Sequence, residues 1–179
     1  MERSDESLMQ AWVGGDAAAF EALYLRHKGM LFRYLLRSLK QQAATEELFQ
    51  ETWVRVVAAR LRWQPQAKFS TWLLQIAHNL MVDHWRRQRP AEPDPETALA
   101  ALDAPEEDRP DAQWSQFEQR RRLQRALEAL PDEQREAFLL RAEAGLGIEE
   151  IAEATGVGRE TAKSRLRYAM ARLRELLRP

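Results

Sequence analysis

The sequence predicts an all-α protein of two small helical modules joined by an acidic linker, and three observations carry that prediction. Glycine occurs only at 14, 15, 29, 145, 147, 156 and 158, so Met30 to Ala144 contains none; this suits helices and poorly suits a turn-rich β fold. Apolar residues recur at helical spacing on both sides of the chain. Five of the eight prolines fall between Pro90 and Pro110, among a cluster of acids. Proline removes backbone donors and like charges repel, so residues 91–112 read as a flexible linker. The modules are then residues 1–90 and 113–179, expected to move relative to each other in a monomeric free chain.

In chain order, Asp16 after Gly14-Gly15 is a plausible N-cap for a helix whose inner stripe is Phe20, Leu23, Tyr24, Leu31, Tyr34 and Leu35. Phe49, Trp53, Val56 and Val57 repeat the spacing, as do Leu73, Ile76, Ala77, Leu80 and Met81, with Ser70 or Thr71 as the expected cap. Past the linker, Leu123, Leu127 and Leu130 stop at Pro131, and Asp132 is expected to cap a helix through Ala137 and Leu140.

Composition narrows the classes of function. The chain has 179 residues, 45% of them hydrophobic, and no cysteine. That excludes a disulfide framework, a thiol nucleophile and a Cys-containing zinc site. No apolar run is long enough for a bilayer span, and Met1 to Gln10 has no apolar signal core, so the expected location is cytoplasmic. The net charge of −1 hides a strong segregation. From Ala91 to Gln113 there are eight acids against Arg109 alone, whereas Arg159 to Pro179 holds seven bases against Glu160 and Glu175. A basic end beside an acidic middle points to a polyanion as partner of the C-terminal module.

That module carries the most specific pattern. Ile148, Ile151, Ala152 and Thr155 form a short amphipathic helix, Gly156 supplies a turn tolerant of positive φ, and Val157 plugs the angle between helices. Ala162, Leu166, Ala169 and Leu173 then form a second helix at 4, 3, 4 spacing. This is a helix-turn-helix signature. With Ala162 inward, Glu160, Lys163, Ser164 and Arg167 point outward at 100° per residue. Arg159 and Thr161 stand at the helix start, where such helices enter the major groove. Arg165 lies nearer the packed face, within reach of phosphate. Arg and Lys suit guanine edges, Ser and Thr suit bases or backbone, and the remaining arginines suit phosphates.

The N-terminal module offers two further features. Glu47 and Glu51 stand at i, i+4 with Gln50 beside them, an acidic face opposite Phe49 and Trp53. The helix opened by Phe69-Ser70-Thr71-Trp72-Leu73 runs through Asn79 and ends in His84-Trp85-Arg86-Arg87, a basic tip with aromatics that suit stacking on unpaired bases. His27, His78 and His84 lack zinc spacing and read as surface or packing residues. No phosphate-binding glycine loop, G-x-S-x-G elbow or H-E-x-x-H is present, so neither an enzyme nor a cofactor is expected.

Together these segments resemble the extracytoplasmic-function group of the bacterial sigma-70 family of RNA polymerase sigma factors. Residues 16–90 resemble region 2, through Asp16-Ala17-Ala18-Ala19-Phe20, Glu47-Leu48-Phe49-Gln50-Glu51 and Thr71-Trp72-Leu73 to Arg89. Residues 115–178 resemble region 4, through Leu130-Pro131 and Lys163-Ser164-Arg165-Leu166. The resemblance implies that Glu47, Gln50 and Glu51 grip the largest-subunit coiled coil of core polymerase, whose flap is a second contact. It implies that Asn79, His84, Trp85, Arg86 and Arg87 serve −10 recognition and melting. It further implies that Arg159, Glu160, Thr161, Lys163, Ser164, Arg165 and Arg167 read the −35 element in promoter DNA. The acidic linker matches a segment that runs toward the polymerase active-site cleft, and an anti-sigma protein is a further partner implied. Gly158 departs from a serine-like cap and Glu160 from a small residue. The rival reading, a helix-turn-helix regulator with a helical effector-binding N-terminal domain, explains residues 132–178 but leaves the Glu47 face and the Arg86-Arg87 tip unexplained.

Overall fold

The computed structural model describes residues 3–88 and 116–178, so the expected linker, 91–112, lies outside the described residues. Those residues form α-helices with one short 3-10 turn and no strand.

Helix α1, Asp5–Val13, was not anticipated from the sequence. Ser4 caps it by accepting from the Ser7 amide at 3.2 Å. Asp5 and Glu6 favour its first turn through the helix dipole. Its buried face is Leu8, Met9 and Trp12. Helix α2, Ala17–Leu39, begins as expected: Asp16 Oδ1 accepts from the amides of Ala18 and Ala19 at 3.0 and 3.3 Å. It buries Leu23, Leu31, Tyr34 and Leu35 and ends at Lys40, whose φ of 60° turns the chain into α3, Gln42–Ala59. The 3-10 turn Arg60–Arg62 leads to α4, Phe69–Gln88. Full burial of a Leu or Phe side chain is worth roughly 1.5–3 kcal/mol. Leu23, Leu31, Leu35, Phe69, Leu73 and Leu74, all fully buried, therefore dominate this core.

Helix α5 spans Gln116–Glu128, α6 Asp132–Ala144, α7 Ile148–Thr155 and α8 Arg159–Leu176. Helix α6 ends at Gly145, in the left-handed region at φ 67°, with its N–H bonded back to Arg141 O. Helix α7 ends the same way at Gly156, φ 68°. Ile151 and Ala154 of α7 and Ala162 and Ala169 of α8 are buried, in helices that pack on each other and on α6.

Four local expectations need correction. Ser70 and Thr71 are not caps: α4 already begins at Phe69, and the Trp72 amide bonds to Lys68 O at 3.1 Å. Asp132 is the first helical residue of α6, with Pro131 at the cap position; its carboxylate instead takes the Arg135 guanidinium at 2.5 Å. Val57 is 39% exposed, one position around the wheel from the buried Val56, and Leu123 is 37% exposed although it shares the stripe of Ala126, Leu127 and Leu130.

The two modules are docked rather than apart. Helix α6 lies against α2, and α7 against α4. At the centre Arg135 and Glu136, consecutive on α6, are each only 2% exposed. Glu136 Oε1 accepts from the Tyr34 hydroxyl and sits 2.6 Å from His78 Nδ1. A carboxylate can only accept, so this imidazole nitrogen carries the proton. Burial, and then the Glu136 charge, hold the Tyr34 phenol well above its ordinary pKa. Arg135 Nη2 donates to Ser38 O at 3.0 Å.

Candidate nucleic-acid interface

Three surfaces gather the residues of interest. The first is the recognition helix α8. Gly156 reverses the chain after α7, and the Val157 amide bonds to Ala152 O at 3.1 Å, fixing the angle between the helices. With Ala162, Ala169 and Leu173 buried, α8 presents Arg159, Glu160, Thr161, Lys163 and Arg167 to solvent and leaves Ser164 partly covered. Arg159 is held at the helix start, donating to Glu149 Oε1 at 2.7 Å and to Glu160 Oε1 at 3.0 Å. The Arg167 guanidinium lies 5.0 Å from the Tyr168 ring centroid, which stiffens an otherwise free side chain. Arg165 pairs with Glu133 of α6, within its own module, at 3.4 Å.

The second surface is the C-terminal tip of α4. Asn79, Arg86 and Arg87 are exposed, whereas His84 and Trp85 are partly buried. Trp85 packs on the core, so its ring is only partly available. Trp72 lies tilted against Phe69, centroids 6.1 Å apart. Asn79 lies in a separate surface cleft with Arg55, Arg62 and Ile76. Asn79 and Arg86, seven residues apart, share a face of α4 two turns apart but line different clefts, and Trp85 lies around the helix from Asn79.

The third surface is α3. Glu47 and Gln50 are exposed, and Glu51, partly covered, accepts from Arg55 Nε at 2.9 Å. Their backs are held by an aromatic cluster: Tyr24 and Trp53 rings lie 5.0 Å apart, and Phe32 and Phe49 5.6 Å. Sequence reasoning missed the continuation of this face. Val54 and Leu61 are 61% and 71% exposed, and with Val57 they extend it with apolar surface. The signal was Val54 at i+7 from Glu47 and i+3 from Glu51, on the acidic side of the wheel.

Surfaces one and two meet. His78, Val82, Trp85 and Arg86 from α4 face Glu133, Glu136, Val157 and Arg165 across a cleft of about 350 Å³. Below it, Lys68 pairs with Glu150 of α7, and that bond, with the Gly147 N–H, holds the Glu150 carboxyl below its ordinary pKa. Arg33 and Arg37 of α2 both pair with Glu143 of α6.

A helix-turn-helix module beside a helical bundle with an acidic face and a basic tip defines a DNA-directed transcription protein, and similarity to known proteins states which. Residues 23–91 match the family Sigma-70 region 2, and residues 120–173 match Sigma-70, region 4. The chain is 33% identical to RNA polymerase sigma factor CarQ of Myxococcus xanthus, over 94% of this chain and 95% of that protein. It is 34% identical to ECF RNA polymerase sigma factor SigM of Mycobacterium tuberculosis, over 98% of this chain and 86% of that one. In fold it is similar to CnrH, solved in complex with the cytosolic domain of CnrY, with a TM-score of 0.71, 24% identity, and 98% and 97% of the two chains covered. It is also similar to the sigma factor RpoE of Bartonella quintana, solved with the anti-sigma factor NepR, with a TM-score of 0.68, 23% identity, and 88% and 96% covered. The chain belongs to the extracytoplasmic-function group of the sigma-70 family. It is a sigma factor, which binds core RNA polymerase and directs it to promoters.

Proposed function

We propose that residues 1–90 grip core polymerase through Glu47, Gln50 and Glu51 and act on the −10 element through the α4 tip. The C-terminal module, residues 113–179, then reads the −35 element through Arg159, Glu160, Thr161, Lys163, Ser164, Arg165 and Arg167. The observation that carries the first assignment is the α3 face, where exposed acids adjoin exposed Val54, Val57 and Leu61. An exposed apolar strip rimmed by charge is the composition of a protein-binding surface. His84, Trp85, Arg86 and Arg87 at the α4 tip suit an unpaired strand, with arginines on phosphate and a ring edge for a base. Asn79, two turns before Arg86 on α4, takes part through the groove it shares with Arg55 and Arg62. The protein works without catalysis of its own, in the cytoplasm where polymerase acts. Among the described residues, no helix is long and apolar enough to cross a membrane.

The assignment is tested with Glu47→Lys/Glu51→Lys. Reversal replaces attraction by repulsion at both sites, and a loss of core affinity of several kcal/mol is expected. Unchanged co-elution with core polymerase, at unchanged helicity, would reject the α3 face.

A further inference from the structure

The two helices of the helix-turn-helix are joined across their turn by an exposed ion pair. Glu149 is the second residue of α7 and Arg159 the first of α8. Arg159 Nε donates to Glu149 Oε1 at 2.7 Å, and Arg159 Nη1 donates to Glu160 Oε1 at 3.0 Å. Gly158 brings no side-chain cap to α8, so the Glu149 carboxylate is what reaches across the turn to hold the first side chain of that helix. The bond from Arg159 keeps the Glu149 carboxyl below its ordinary pKa, so it is ionised at neutral pH.

This clamp decides which donors Arg159 has left to offer. With Nε and one N–H of Nη1 engaged, the N–H groups of Nη2 and the other N–H of Nη1 remain, and they form the outer edge of the planar guanidinium fork. In the major groove a guanine presents two acceptors, O6 and N7, which that edge matches. Adenine sets a donor beside its N7, and cytosine offers a donor alone, so neither suits an edge made only of donors. A phosphate would accept the same N–H groups, but here two carboxylates accompany one guanidinium, and the group as a whole is negative. Approach to a phosphate therefore brings like charges together, a cost that an uncharged base edge does not carry. Without its clamp, Arg159 is a long exposed side chain able to follow phosphates, which supply position but no sequence information.

We propose that Glu149 is a specificity-determining positioning residue: its carboxylate holds Arg159 so that the outer fork meets a guanine edge of the −35 element in preference to a phosphate. Glu149 acts through Arg159 alone, from the helix that precedes the recognition helix. The inference rests on the assignment of α8 to the −35 element.

Core RNA polymerase loaded with the full-length chain is used to select from promoters randomised across the −35 element alone. The parent is expected to enrich guanine at one position, and Arg159→Ala to lose that preference. Glu149→Ala removes the acceptor and should cut the preference about tenfold, the scale of one bidentate guanine pair, while other positions keep the parent's preferences. Glu149→Gln, which keeps an acceptor of the same length, should fall between the two. On a promoter with that guanine changed to adenine, the Glu149→Ala holoenzyme should bind more tightly than the parent, with a salt slope steeper by ~0.9, the value of one added phosphate contact. In the Arg159→Ala background, Glu149→Ala should alter the guanine preference no further. A Glu149→Ala profile equal to the parent's overturns the proposal, as does a guanine preference that survives Arg159→Ala. Equal weakening at every position, the result of a merely structural pair, overturns it too. Failure of the underlying assignment reads differently: Arg159→Ala, Lys163→Ala and Arg167→Ala would then all leave the selected −35 sequence unchanged, and the proposal falls with it.

Discussion

Glu150 does two jobs with one carboxylate. It accepts from the Gly147 N–H at 2.8 Å, completing the N-terminal turn of α7, and it pairs with Lys68 of the other module. The Lys68 bond first, and the Gly147 N–H second, lower its pKa in the folded chain. A lowered folded pKa stabilises the fold above the unfolded value, about 4.3, and that contribution is lost as pH falls through the folded pKa. Stability should therefore decline below about pH 5 less steeply in Glu150→Gln than in the parent, as followed by urea titration at a series of pH values. An equal decline in both proteins would show that solvent screens the bond at this rim position. Glutamine at 150 keeps an acceptor for Gly147 and removes only the charge, so the comparison isolates the ionic part.

At the scale of elements, the helix-turn-helix depends on one backbone angle. Gly156 has φ 68°, and a Cβ there would meet nothing within 4 Å. The cost of Gly156→Ala is therefore conformational rather than steric contact with neighbours, about 1–2 kcal/mol. Equilibrium unfolding should show that loss, whereas Gly158→Ala, at φ −68° and in open space, should lose much less. The two DNA-reading elements should also fail differently. Lys163→Ala and Arg167→Ala on α8 should weaken −35 binding, with ~1–3 kcal/mol lost and specificity relaxed where a base contact is removed. Arg86→Ala/Arg87→Ala at the α4 tip should spare −35 binding and depress strand opening. Permanganate footprinting on a natural and a pre-melted promoter separates them. If the pre-melted template fails to rescue the α4 variant better than the α8 variant, the tip has no melting role.

For the whole molecule, the buried centre of the interface sets how the modules are coupled. Removing one member of a buried charged pair commonly costs 3–5 kcal/mol because its partner is stranded. Here the chain has an escape, since undocking returns Tyr34, His78 and Arg135 to water. The loss from Glu136→Ala is thus capped at the free energy of docking, and beyond that the modules simply part. Calorimetry of the parent is expected to give one cooperative transition, and of Glu136→Ala two, one per module. A single transition lowered uniformly would mean that Glu136 belongs to one inseparable core.

The sequence by itself determined the elements and the faces they show. Helical spacing, the Asp16 cap, the Gly156 turn and the outward run of Lys163 and Arg167 are all local consequences of residue order, because 3.6-residue periodicity and positive φ are decided within a few residues. Helix α1 escaped because its apolar positions, Leu8, Met9 and Trp12, are few, although Ser4 ahead of Asp5 and Glu6 was a legible start. The expected caps Ser70 and Asp132 were displaced by one or two residues because burial of Phe69 and the contact of Asp132 with Arg135 outweighed intrinsic capping preference. What only the tertiary structure decided is the closure of one module on the other. Tyr34, carried on an apolar stripe, ends under Glu136, 102 positions away, and Arg165 ends facing the Arg86 cleft instead of open solvent. Such pairings depend on how two finished surfaces fit, and polar residues on a helix face look the same in sequence whether they will meet water, nucleic acid or one another.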